Sequence, residues 1–237
     1  MISNSFILST ITTSFLFAFF AWLIIHLALR KQKLARWQLL SAALGIILLI
    51  WFFTIFGLGK SGFFFDDPLI IPNIVFGFLV LFELLRRVFS AMIKKIVADI
   101  PMITWLIGLQ TYRIVGFGFL SLQSQGLLPA IFAIPSGYGD ILVGVTAPLA
   151  AFLYYFKKPY ARQIAIAWNI LGIVDLVMAV SLGFLAFSRP VQFIVTTVST
   201  EQMALFPLVL ITLFAVPLAL VLHLFCLRAL KVANPSN

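Results

Sequence analysis

The sequence is short of charge, of histidine and above all of cysteine. Only 10% of its 237 residues are charged, two are histidines, and Cys226 stands alone. A single cysteine rules out an internal disulfide and a cysteine-rich metal site. At the end of the last apolar run that thiol reads as a buried apolar group, with palmitoylation as the alternative. No lysine falls in the middle of an apolar run, so a retinal Schiff base has no attachment point. There is no H-E-x-x-H, HxxxH, Glu-Glu pair or Walker lysine, which argues against the common intramembrane proteases and ATP-driven pumps. Ser136-x-Tyr138-Gly139-Asp140 makes a poor nucleophile elbow, because no histidine lies at matching depth. Alternating strands of about ten residues, the mark of an outer-membrane barrel, are missing. Finally, no Lys or Arg precedes the first apolar run, which is too long for a signal sequence and has no small-x-small site behind it.

What is present is hydrocarbon. Hydrophobic residues make up 63% of the chain, and mean hydropathy is +1.16. Several apolar runs exceed the roughly 18 residues that a membrane span needs. The expected fold is an all-α membrane protein, a single domain over 1–237 with seven transmembrane helices at about 6–29, 39–58, 68–85, 102–122, 134–156, 163–187 and 203–227. Between the third and fourth, residues 86–99 alternate greasy and basic at helical spacing. This predicts a short amphipathic helix in the headgroup layer.

Charge placement predicts the topology. Arg30, Lys31, Lys33, Arg36, Arg86, Arg87, Lys94, Lys95, Lys157, Lys158, Arg162, Arg228 and Lys231 would share one side, against Lys60 and Arg189 on the other. Under the positive-inside rule the N-terminus is out and the C-terminus in. Clusters of this kind account for the net charge of +9 without nucleic acid. The expected partners are membrane lipids, with a homo-oligomer allowed.

A few polar residues interrupt the apolar runs, and each is costly there, on the order of 3 kcal/mol for a charge at a helix centre. Gln110 and Arg113 are three apart, hence on one helix face. Asp140 follows Pro135-Ser-Gly-Tyr-Gly139, a run that reads as an unwound stretch whose free N–H groups would point into the bundle. Asp175 lies mid-helix between Gly172 and Ala179, small residues that allow a close helix neighbour. Gln110, Arg113, Tyr138, Asp140, Asn169 and Asp175 are therefore the candidate polar cavity. The competing reading is a structural ion pair of Arg113 with Asp140 or Asp175, Asp140 being the nearer in sequence. His26 and His223, with Glu83, form a second candidate cluster, one turn inside the basic face. Depth-matched histidines could hold a haem iron, although hydrogen-bonded interfacial histidines explain them as well, and zinc would lack ligands. No cofactor is expected otherwise, and no catalytic constellation is present.

Four phrases carry a likeness: Gln110-Thr-Tyr-Arg113-Ile-Val-Gly116; Pro135 to Gly144 with Ala147-Pro148; Trp168-Asn169-x-Leu-Gly172-x-x-Asp175; and Phe206-Pro207 through Pro217 to His223. From Pro101 on, the chain resembles a family of uncharacterised bacterial multi-pass membrane proteins. The resemblance implies a bacterial cytoplasmic membrane and a seven-helix bundle, and no particular activity. Taken together, these features predict a small carrier or channel-like protein for an ion, protons or a small polar solute, an anion or zwitterion meeting Arg113. A non-catalytic accessory or sensor protein is the alternative, and an intramembrane enzyme or haem redox protein the second.

Overall fold

A computed structural model describes residues 2–32, 36–66, 100–188 and 193–232, with single helical positions between 70 and 87. Regular structure in the described residues is all helical. In hydrocarbon a backbone must satisfy its own hydrogen bonds, and a helix does so within one segment. Among the described residues six helices are long and apolar enough to cross a membrane: α1 Asn4–Lys31, α2 Trp37–Lys60, α3 Pro101–Ser124, α4 Ala130–Tyr155, α5 Ala161–Leu185 and α6 Ile211–Lys231. The expected span 68–85 is represented by helical positions such as Ile70, Ile71, Ile74 and Val80. The rest of it, Glu83 included, and nearly all of the expected interfacial segment 86–99 lie outside the described residues.

Local chemistry sets the helix ends. Ser3, in extended conformation, caps α1 by accepting from the Phe6 N–H at 3.3 Å, and Arg30 and Lys31 complement the carbonyl end. Pro129 precedes α4 with φ −73° and ψ 142°. The turn between α3 and α4 passes through Gly126 at φ +71°, where a side chain would be strained.

Contacts between helices orient the bundle. Arg162, at the start of α5, donates from Nε to the Leu230 carbonyl at the end of α6 (2.8 Å), so these two helices are antiparallel. Phe6 to Ser14 of α1 share a cavity wall with Ile211 to Val216 of α6, so the beginnings of α1 and α6 lie together. One end of the bundle consequently gathers Arg30, Lys31, Arg36, Lys157, Lys158, Arg162, Arg228 and Lys231. α6 runs through the centre: 67% of its span is buried, against 22% for α2.

Two helices are irregular, and not where the sequence suggested. The Pro135–Gly139 stretch, expected to unwind, lies within the continuous helix Ala130–Tyr155, which also contains Pro148. Pro135 stands in the second turn, where one helical hydrogen bond is lost, and membrane helices tolerate such a loss when neighbours pack closely. The break occurs in α3 instead. Ile100–Leu109 and Phe117–Ser124 are α-helical, but Gln110–Gly116 between them is 3₁₀. Seven residues is long for a 3₁₀ segment, and in mid-helix such a segment marks strain or a hinge. Ile211–Ala215, opening α6, is π-helical.

Backbone proximity accounts for the α3 distortion. A Cβ placed on Gly144 of α4 would stand 2.6 Å from the Ile114 nitrogen, and one on Gly116 would stand 2.9 Å from the Gly137 carbonyl oxygen. Small residues thus let the two main chains touch, as in close-packed membrane helices. The 3₁₀ segment is the part of α3 pressed against α4.

Candidate functional site: a buried arginine between two carboxylates

In a 3₁₀ helix, residues three apart lie one above the other. Gln110 and Arg113 are so placed, and each is only 1% exposed. Arg113 points inward from α3 and its guanidinium meets three other helices. Nε donates to Asp140 Oδ1 of α4 at 2.6 Å, and Nη2 donates to Asp175 Oδ2 of α5. Nη1 donates to the Gly172 carbonyl at 3.3 Å and stands 3.5 Å from His223 Nε2 of α6. Both ion-pair partners raised by the sequence are therefore present at once.

Glycine makes room for this cluster. A Cβ on Gly139 would overlap the Asp175 carboxylate, and one on Gly172 would overlap the His223 imidazole. Helix faces that carry glycine at these two places bring a carboxylate and an imidazole to a single guanidinium.

The network continues along α5. Asn169 donates from Nδ2 to the Ala165 carbonyl (2.8 Å), which leaves its Oδ1 facing His223 Nδ1 at 2.9 Å. That arrangement assigns the imidazole proton to Nδ1 and turns the Nε2 lone pair towards Arg113. Trp168 packs on the His223 ring at 5.3 Å between centroids and donates to Thr146 Oγ1 (2.9 Å).

Three buried polar atoms here have no hydrogen-bond partner among the described residues: Asp175 Oδ1, Ser136 Oγ and Gln110 Oε1. Ser136 is one turn before Asp140 on α4. An orphaned buried acceptor costs about 1–3 kcal/mol, more where it is charged, so Asp175 Oδ1 is the costliest of the three.

Beside the cluster is a cavity of about 60 Å³, room for a few waters. Arg113, Asp140 and Tyr112 line it, and from α1 so do Ser9, Thr10, Thr13 and Ser14. Ser9 and Thr10 donate their hydroxyl protons to the Phe6 carbonyl (2.9 Å each), so they offer the cavity lone pairs. Tyr112 is held by stacking on Phe17, with centroids 3.9 Å apart. Asp140 also lines a second, mostly apolar cavity of similar size between α4, α5 and α6. Its side chain keeps 17% exposure, against 6% for Asp175 and 1% for Arg113.

The structure brings together Arg113, Asp140 and Asp175 of the expected cavity and adds His223, through which Asn169 joins them; Gln110 is buried one turn from Arg113 on the same face of α3, and neither Gln110 nor Asn169 lines the cavity. It does not bring Tyr138, which is 61% exposed on the outer face of α4. Tyr138 is two residues from Asp140, which on a continuous helix is the far side; the expected unwinding would have been needed to turn it inward. His26 and His223 do not share a site. His26 bonds through Nδ1 to Ser41 Oγ of α2 (2.8 Å) and packs between Trp22 and Trp37, whereas both nitrogens of His223 face Asn169 and Arg113. An iron on His223 Nε2 would stand where the guanidinium is, so these residues do not fit a haem. The hydroxyl wall and Tyr112 were not foreseen, although Ser9, Thr10, Thr13 and Ser14 recur at one-turn spacing in an apolar helix.

Residues 69–231 match a family described as Domain of unknown function (DUF8737). The chain belongs to this family. The match takes in α3 to α6 and with them every member of the Arg113 cluster, while α1, with its hydroxyl wall, falls outside it. No curated protein and no solved structure matches the chain. Regular structure that is all helical among the described residues, with six membrane-length apolar helices there, fits a multi-pass membrane protein.

Proposed function

We propose that this protein is a small carrier or channel-like protein of a bacterial cytoplasmic membrane, serving an ion, a proton or a small polar solute. Arg113, Asp140 and Asp175 form its binding site, and the N-terminus lies outside with the basic end of the bundle in the cytoplasm. One observation carries the reading. A single guanidinium holds two carboxylates next to a cavity whose largely apolar wall carries the hydroxyls of α1 and Tyr112, in an otherwise apolar bundle. A structural staple needs one carboxylate per arginine and no cavity. Here the second carboxylate leaves a buried negative charge, which is costly in hydrocarbon unless an ion or proton meets it. Each of the three guanidinium nitrogens already has an acceptor, so the site favours a proton, a cation or a neutral polar solute over an anion.

The test is flux in proteoliposomes with Asp140→Asn, a near-isosteric change at the most exposed member of the cluster. The carrier reading expects wild-type flux of protons, alkali cations or small polar solutes, lost in a variant that still elutes as a folded species. If the wild type moves none of these, the second reading takes over: an accessory protein in which Arg113 fastens α3, α4, α5 and α6. Arg113, itself on α3, does contact the other three, which is the observation in its favour.

A further inference from the structure

Resting on the carrier reading, we propose that the ligand of this site is a proton. The Asp140–Asp175 pair binds one exchangeable proton, delivered through the hydroxyl-lined cavity on the α1 side. The charge count comes first. Two carboxylates and one guanidinium leave one negative charge in a region with 1% exposure at Arg113, and a single proton brings it to zero. His223 offers no second positive charge in its observed arrangement, because its Nε2 faces the guanidinium as an acceptor.

The second observation is geometric. Asp175 Oδ1 is buried with no donor among the described residues, next to the Gly139 main chain, where no side chain can supply one. A carboxylate left with a bare buried oxygen is what protonation relieves. The third is access. Asp140 contacts Arg113 through Oδ1 and also lines the cavity, so it can take a proton from a hydronium there, and because Arg113 pairs with both carboxylates a proton on Asp140 leaves Asp175 as its one charged partner. In that step an O–H bond of a hydronium breaks, one forms on the carboxylate, and the site goes from one net negative charge to none.

The cavity wall suits the same species. Ser9 and Thr10 donate hydrogen bonds to the Phe6 carbonyl and present lone pairs, which order hydronium or water and repel anions. The titratable and charged groups facing the pair are Arg113 and Tyr112 from α3 and His223 from α6, while α1 contributes four hydroxyls and the Phe6 ring. Gln110 Oε1, a further unpartnered acceptor on the Arg113 face, extends the polar line towards the start of α3.

The experiment is infrared spectroscopy of the protein in lipid bilayers, with ¹³C-carboxyl aspartate, between acid and neutral pH. The chain has five aspartates: 66, 67, 99, 140 and 175. Replacing Asp66, Asp67 and Asp99 by Asn leaves the pair as the sole source of an aspartic C=O band. The expected result is a protonated-carboxyl band at neutral pH, shifted in D₂O, equal to one acid per chain and lost in Asp140→Asn or Asp175→Asn. No such band in the triple variant overturns the proposal, and it does so whether or not the protein carries a solute. A band of one acid in a protein that shows no flux would instead keep the proton site and remove the carrier reading. The triple variant retains the whole cluster, so the test does not depend on a site variant folding.

Discussion

Neither helix of the α1–α2 hairpin contains a carboxylate. Across it Trp22 and His26 both bond to Ser41, and aromatic edges such as Phe15 on Phe52 meet. Between α3, α4, α5 and α6 the contacts include charges, glycines and main-chain oxygens. The difference follows from burial. α2 has mean hydropathy 2.6 and buries 22% of its span, so most of its side chains are solvated by lipid; α3, with mean hydropathy 1.2, buries 39%. Lipid tails are as apolar as leucine, so burying more hydrocarbon gains little, and packing and polar contacts must hold the inner helices together. The molecule thus pairs an adaptable, lipid-facing hairpin with an assembly whose geometry is dictated by one arginine.

The largest expected effect tests that division directly. Arg113→Ala leaves two buried carboxylates facing each other and should destabilise the protein by about 3–5 kcal/mol, read by denaturant unfolding in detergent. Adding Asp175→Asn should recover part of the loss by removing the excess charge. Equal stability of the single and double variants would mean that the carboxylates do not feel each other, and the contrast between the two regions would lose its electrostatic basis.

Next in size is Gly172→Ala. Its Cβ would overlap the His223 imidazole, and overpacking of a tight site costs about 1–3 kcal/mol. The same unfolding assay reads it, and in the carrier reading flux should fall as well, since His223 is displaced from Arg113. A smaller loss is expected from His26→Ala. It breaks one bond to Ser41 at a half-buried position, about 1 kcal/mol. If His26→Ala proved as damaging as Arg113→Ala, the hairpin would have to be counted with the inner helices.

Much of this arrangement is legible in the residues. Six apolar runs mark the six membrane-length helices, and the rare polar positions Arg113, Asp140, Asn169 and Asp175 stand out because each is expensive in hydrocarbon. What cannot be read is the side of a helix that faces inward when every side is apolar. Tyr138 and the hydroxyls of α1 illustrate this. Tyr138 neighbours Asp140 in sequence yet faces outward, whereas Ser9, Thr10, Thr13 and Ser14, about a hundred residues or more from the charges, share their cavity. Pro135 misleads for another reason. Proline and paired glycines signal an interruption in water-soluble chains, but here they occur in a continuous helix. The irregular backbone lies opposite, in Gln110–Gly116, where the Gly116, Gly137 and Gly144 contacts draw the main chains of α3 and α4 together. That distortion depends on two helices meeting, and no single stretch contains it. The two histidines show the same limit: alike in depth by counting, they end in unrelated surroundings because α1 and α6 present them to different neighbours.

The smallest expected effect is also the sharpest control on the comparison. Gly57, in the exposed part of α2, has nothing within 4 Å of where a Cβ would stand. Gly57→Ala adds a methyl group to lipid and removes a helix-weakening residue, so unfolding stability should change by no more than about 0.5 kcal/mol, if anything upward. The same substitution at Gly172 should cost several times more, although both glycines lie within membrane-length helices and the residue change is identical. Two glycines read alike from sequence would then differ solely through what faces them. Should Gly57→Ala cost as much as Gly172→Ala, α2 must pack against something other than lipid in the membrane, most simply a second copy of the chain. A monomeric mass in mild detergent for the wild type, unchanged in the variant, would remove that explanation and return the effect to the helix itself.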